Sequence, residues 1–304
     1  LWSRGLGDVY KRQIQYMVDE EQAVAARSGR EKGLQAARDA FYRGDIAATM
    51  ARYHRHNGGW LREDDLAEFA VEVLPPVVSA YKDIDIYTCG PWSQGPVLAQ
   101  SLRLADGLNI DSYVHNSADY IHLLVESLKL SFSDRHHYVG DPNFVDVPME
   151  TLLSAAYNDA RRGLVTEIAS DQIRPGSIEG FGGPVVYGLE DGRRMLVSDD
   201  GQAVELGDSS PEVSIATGDT VHLDVADRFG NLVSVTPSGG WMRSSPTIPD
   251  LGFALSNRGQ IFTLEEGTPG VVAPGKRPRT TLSPGFATRD GKPYMAFGTP
   301  GADL

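Results

Sequence analysis

Cysteine is almost absent from these 304 residues: Cys89 stands alone. An internal disulfide framework is therefore excluded. Ile86, Tyr87 and Thr88 precede it, so it is expected to be a buried structural thiol at a strand end. No run of eighteen apolar residues occurs, which leaves no candidate membrane-spanning helix in this stretch. Basic residues are the minority: 28 Lys and Arg against 41 Asp and Glu give a formal net charge of −13. The acids are spread rather than clustered, which reads as solvated surface and disfavours a nucleic acid partner. No G-x-S-x-G elbow is present, against a serine hydrolase of that kind. His54 with His56, and His136 with His137, do not share a helix face, and no Cys or Glu has ligand spacing to them. Gly270-Val271-Val272-Ala273-Pro274-Gly275-Lys276 mimics a phosphate loop, but Arg277 replaces the Ser/Thr that would hold Mg²⁺ and Pro278 opposes a regular helix start. No metal and no cofactor are expected.

What is present begins with two unusual ends. Asp8-Val9-Tyr10-Lys11-Arg12-Gln13 resembles the in-frame translation of a sequencing-library adapter, so residues 1–13 are expected to be foreign to the fold. Without them the net charge is −15, because that stretch holds three basic residues and one acid. The missing initiator methionine, and a final residue inside a motif, lead to the expectation of a fragment open at both ends. The compartment is left undetermined by such a piece.

Residues 20–53 read as helix-rich, with Asp45 able to cap a helix that Asn57-Gly58-Gly59 stops. Glu63-Asp64-Asp65 starts a short helix. Residues 71–79 and 83–89 read as strands, the first broken by Pro75-Pro76. Helices are expected over 97–105, 117–137 and 149–164; the second has an apolar face of Ile121, Leu124, Val125, Leu128 and Leu130. Residues 173–214 turn Gly- and Ser-rich, with one weak strand at 185–189, and read as an exposed connection. Beyond it the chain is β-dominated: half-buried strands flank a turn at Asp227 to Asn231, and 286–297 forms a hairpin turning at Asp290-Gly291. Pattern alone gives an α+β fold.

The residue with the most chemistry in reach is Thr220, within Gly218-Asp219-Thr220-Val221-His222 at the opening of a strand. Cleavage of the Asp219–Thr220 bond would give Thr220 both a hydroxyl nucleophile and an α-amine base. Most threonines in such a place serve β propensity alone.

The wider pattern selects between these readings. Ala37-Arg38-Asp39-Ala40-Phe41-Tyr42-Arg43-Gly44, Asn57-Gly58-Gly59, Asp64-Asp65-Leu66-Ala67, Ser131-Phe132-Ser133-Asp134-Arg135 and Gly140-Asp141-Pro142 occur in order. Asp227 through Val235, Ala273-Pro274-Gly275-Lys276-Arg277-Pro278 and Gly298-Thr299-Pro300-Gly301 follow. In these stretches the chain resembles the γ-glutamyltranspeptidase family, N-terminal-nucleophile hydrolases that cut themselves before a threonine. The resemblance implies an αββα sandwich, incomplete here. It implies residues 14–219 as the C-terminal part of a large subunit and 220–304 as the N-terminal part of a small one, both from one precursor. It implies Thr220 as nucleophile, Ser238 where the family has a second threonine, and Gly301 with Ala302 at its oxyanion Gly-Gly. Thr280 and Thr281 fall at paired serines that hold a substrate carboxylate. The substrate implied is a γ-glutamyl compound such as glutathione.

Several positions depart from the pattern. Gly240 replaces an asparagine, Arg258 stands at a polar amide, and the acid that would meet the substrate's α-ammonium falls on or near Ile261. Two alternatives therefore stand beside the γ-glutamyl hydrolase: an acylase acting on a different amide, and a non-catalytic binding relative of the same fold.

Overall fold

The computed structural model describes residues 2–181, 186–190, 193–197, 203–206, 220–239 and 245–300. The chain divides into two compact units, residues 1–73 with 239–257, and 74–238 with 258–304.

The first unit is helical. Helix α1 (Trp2–Ser28) runs through most of the segment set aside as adapter-like, and Gln13 Nε2 donates to the Asp250 carbonyl at 3.3 Å. Helices α2 (Arg30–Tyr42), α3 (Asp45–His56) and α4 (Glu63–Glu68) follow. Gly44, not Asp45, takes the N-cap position of α3; Asp45 lies in the first turn, where its charge suits the helix dipole. Gly58, at a φ of 73°, follows the end of α3. Ile46 and Met50 of α3 bury against Ile248 and Leu251, with Phe41 stacked on Phe253 at 6.1 Å.

In the second unit, strand β1 (Val77–Tyr81) begins only after Pro75-Pro76, which lack the N–H groups a ladder needs. Strand β2 (Ile84–Thr88) pairs with it. Helix α5 (Gly95–Asp106) packs on α6 (Ala118–Tyr138), whose N-cap Ser117 accepts from the Tyr120 amide. Here the expected apolar face of α6 is overturned. Ile121, Val125 and Leu128 are exposed, whereas Leu130 is buried among Glu126, Ser127, Ser131 and Asp134. The buried face is polar because α5 meets it through hydrogen bonds. Ser101 Oγ donates to Ser131 Oγ at 2.8 Å and Gln100 Nε2 to Asp134 Oδ2 at 2.6 Å.

Asp134 is fully buried and faces Arg161 at 3.2 Å, with the Gly176 amide at 2.8 Å. Burial pushes its pKa up, against the pull of Arg161. Glu126 behaves oppositely. Burial works against its charge, but Lys129, the Ser170 amide and Arg174 outweigh it and hold the carboxyl below the usual range. Cys89 is half-buried rather than enclosed, and burial raises its thiol pKa.

The helix expected over 149–164 is two: α7 (Met149–Leu152) and α8 (Ala155–Arg162), split where Ser154 caps the second through the Tyr157 amide. Tyr138, Val139, Leu152 and Ile178 form the local core. The stretch read as an exposed connection carries a three-stranded antiparallel sheet, β3 (Val186–Glu190), β4 (Arg193–Val197) and β5 (Ala203–Leu206). The weak strand expected at 185–189 is β3; β4 and β5, short and weakly alternating, were not expected and are revealed by their pairing.

Strands β6 (Leu223–Ala226) and β7 (Leu232–Val235) form the expected hairpin, its turn tied by Asp227, which accepts from the Phe229 and Asn231 amides. The strands are more open than expected: Leu223, Val225 and Val233 are exposed. In the first unit, β8 (Thr247–Ile248) pairs with β9 (Phe253–Ala254). Strands β10 (Gly285–Arg289) and β11 (Lys292–Phe297) turn at Asp290-Gly291, both at positive φ, as a two-residue hairpin loop demands. β10 also pairs antiparallel with β2, giving the sheet order β1-β2-β10-β11. Among the described residues, no helix is long and apolar enough to cross a membrane.

Candidate active site

Thr220 enters the hairpin through an isolated antiparallel bridge to Ser238, and the Val221 amide donates to the Pro237 carbonyl at 3.2 Å. In that register the two side chains share one face, and Thr220 Oγ1 lies 2.6 Å from Ser238 Oγ. Arg258 opens a 3₁₀ turn, Arg258–Ile261, from which its Nη2 donates to Ser238 Oγ. Its Nη1 reaches Thr281 Oγ1 at 3.5 Å. Four of the sequence-singled residues, Thr220, Ser238, Arg258 and Thr281, thus converge. Thr280 is adjacent but turned: its hydroxyl accepts from the Leu282 amide, and its own amide donates to the Trp92 carbonyl at 2.8 Å. Asp219, Gly240, Gly301 and Ala302 lie outside the described residues.

A guanidinium only donates, so Ser238 Oγ accepts there. Either hydroxyl of the Thr220–Ser238 pair can be the donor, since Ser238 Oγ keeps a second lone pair beside the one that meets Arg258.

Two distant motifs hold the threonine loop in place. Asp141, almost fully buried, accepts from the Arg277 amide at 2.8 Å and from Arg277 Nη2 at 3.0 Å. Arg279 Nη1 reaches the Arg135 and Val139 carbonyls at 3.4 and 3.5 Å, at the end of α6. These contacts explain why Gly140-Asp141-Pro142 and the run from Lys276 belong to one pattern: together they deliver Thr280 and Thr281.

Sequence reading missed His222. Positions 220, 222 and 224 alternate onto one face, opposite Ser238, Thr236 and Ser234. His222 Nδ1 lies 2.8 Å from Thr236 Oγ1, and Nε2 lies 2.8 Å from Asp224 Oδ2. Burial opposes the charge of Asp224, but hydrogen bonds from Ser234 and His222 hold its carboxyl low. The period-two polar face in the sequence was the available signal. The imidazole also packs on Gly298, where a Cβ would stand 2.2 Å from Cε1. Gly298→Ala is therefore expected to lose about 1–3 kcal/mol of stability, read as a lower denaturation midpoint with an altered His222 imidazole resonance.

A family model described as Gamma-glutamyltranspeptidase matches residues 10–304. The glutathione hydrolase proenzyme of Bacillus subtilis subsp. natto is 31% identical over 289 residues, 94% of this chain and 45% of that protein. The acylase ACY 1 proenzyme of Pseudomonas sp. (strain SE83) is 31% identical over 266 residues, 87% of this chain and 41% of that protein. The solved structure of LmbA2991HD superposes with a TM-score of 0.78 at 40% identity, covering 99% of this chain and 49% of its own. The chain therefore spans about half the length of the relatives it matches. The expected α+β fold, the αββα sandwich of the N-terminal-nucleophile hydrolases, stands on these matches. On this evidence the chain belongs to the γ-glutamyltranspeptidase family.

Proposed function

We propose that the protein is a self-processing threonine amidohydrolase and acyltransferase. The single observation that carries this is the 2.6 Å pairing of Thr220 Oγ1 with Ser238 Oγ at the opening of the strand. Cleavage between Asp219 and Thr220 yields two polypeptides from one precursor, with residues 14–219 in the large one and 220–304 in the small one. The new α-amine of Thr220, with a reference pKa of about 7.7–8.0, takes the hydroxyl proton at neutral pH. Thr220 Oγ1 then bonds to the amide carbonyl carbon. The Gly301 and Ala302 amides receive the oxyanion. The C–N bond breaks as the amine carries the proton to the leaving nitrogen. Water, or an acceptor amine, attacks the resulting ester and frees the acid or a new amide.

The family and the glutathione hydrolase relatives support an amide of the γ-glutamyl class, glutathione among them, with Thr280 and Thr281 at its carboxylate. A second reading, an acylase taking a different acyl group, is favoured by Arg258 beside Ser238 and by Gly240 and Ile261 at the departing positions. Intact-mass spectrometry of the full-length protein tests the proposal: two masses meeting at 219/220 are expected. A single uncut mass from well-folded protein would return the argument to a binding relative.

A further inference from the structure

The strand that follows Thr220 and the segment that leaves β11 at Gly298 meet at one side chain, His222. A Cβ on Gly298 would stand 2.2 Å from Cε1 of the ring, 2.7 Å from Nδ1 and 2.9 Å from Nε2, so the glycine backbone is seated on the imidazole. The φ of Gly298 lies outside the left-handed region, so the space taken by the ring, and not the backbone conformation, is what excludes a side chain there. A loose side chain could swing away from such an approach. This one is tied at both nitrogens, to Thr236 Oγ1 at 2.8 Å and to Asp224 Oδ2 at 2.8 Å, and its side chain is only 9% exposed. Beside it Ser234 Oγ donates to the Phe297 carbonyl at 3.2 Å, which bonds β7 to β11 one residue before the seat.

The same partners choose the tautomer. A carboxylate only accepts, so Nε2 carries its proton toward Asp224. In the neutral ring Nδ1 is then the acceptor, and the buried Thr236 hydroxyl donates to it. An amide at position 224 can instead offer a donor to Nε2 and release the ring to the other tautomer.

Oxyanion donors act only where the charge develops, and a misplacement of about 1 Å can cost about 10²-fold in rate. Gly301 and Ala302 follow Gly298 by three and four residues. Resting on the reading of Thr220 and of those two amides given above, we propose that His222 and Asp224 are positioning residues. Asp224 fixes the tautomer and plane of the ring. The ring fixes the point at which the chain leaves β11. That point sets the reach of the oxyanion amides toward a carbonyl at Thr220.

The test uses the full-length protein as wild type, Asp224→Asn, His222→Ala, Gly298→Ala and the His222→Ala/Gly298→Ala double variant. Imidazole nitrogen NMR reads the tautomer. Initial rates come from γ-glutamyl or glutaryl p-nitroanilide, whichever wild type turns over faster, divided by the cut fraction from intact mass. Wild type is expected to hold the Nε2–H form. Asp224→Asn should raise the Nδ1–H form and lower kcat about tenfold, and His222→Ala should lower it about 10²-fold, with KM within about twofold in both. The double variant should be no slower than His222→Ala alone, because the added methyl then meets no ring. An Nδ1–H ring in wild type, a kcat per cut chain that stays at the wild-type value while the denaturation midpoint falls, or losses that multiply in the double variant would each overturn the proposal. If His222→Ala does not fold, Asp224→Asn, which keeps the ring, decides. An uncut wild type, or one inactive on both anilides, tells against the function proposed above, and the spectra then decide the seat on their own.

Discussion

Thr220→Ala is expected to leave the chain uncut and to lower amide hydrolysis by about 10⁴-fold or more. The size follows from two losses at one position. Alanine has no hydroxyl to attack the 219/220 bond or the substrate carbonyl, and without cleavage no α-amine appears to serve as base. Thr220→Ser separates the two: it keeps a hydroxyl that can pair with Ser238 and should still split, more slowly. The checks are intact mass for cleavage and initial rates on a chromogenic γ-glutamyl or glutaryl anilide for turnover. A cut, active Thr220→Ala protein would remove Thr220 from the chemistry altogether.

The second large effect is expected at Asp141. Its carboxylate takes both the Arg277 amide and the Arg277 guanidinium, plus the Asn143 amide at 3.2 Å. Asp141→Ala removes one partner of a largely buried pair and strands the others, a loss of about 3 kcal/mol, the low end of such losses because Arg277 is partly exposed. The pH dependence has a definite sign. Burial raises the carboxyl pKa, but Arg277 and the Asn143 amide overcome that and set it below the ordinary 3.8. A group with a lowered folded pKa contributes fully above its unfolded value and loses that contribution as pH falls through the folded one. The stability gap between wild type and Asp141→Asn should therefore be constant near neutrality and shrink below about pH 4. Denaturant titrations at several pH values read it directly. A gap that widens in acid would contradict the pairing. Because Arg277 precedes Thr280 by three residues, both variants should also loosen the threonine loop.

The sequence is most legible where local chemistry decides. Asp290-Gly291 dictated its hairpin because few other pairs accept positive φ twice in succession. Pro75-Pro76 excluded a ladder on their own side, and the strand begins right after them. The polar alternation at Thr220, His222 and Asp224 is visible in the chain, although only Thr220 was read from it.

Tertiary structure decided the rest, because it depends on which surface meets which. Periodicity gave α6 an apolar stripe, but pairing with α5 through Gln100 and Ser101 turned its polar face inward and left Ile121 and Val125 exposed. Of the strands β3, β4 and β5, only the first shows in the sequence, as a weak strand; β4 and β5 are too short to declare themselves and are seen through their pairing. The site divides in the same way. Thr220 as the proposed nucleophile, and the motifs that carry the family, were legible in the sequence alone, since they are matters of residue type and order. That Arg258 joins Ser238 to Thr281, and that Asp141 anchors a loop 136 positions away through Arg277, required the fold. Hydrogen-bond partners are fixed by distance in space, and chain order carries no record of that distance.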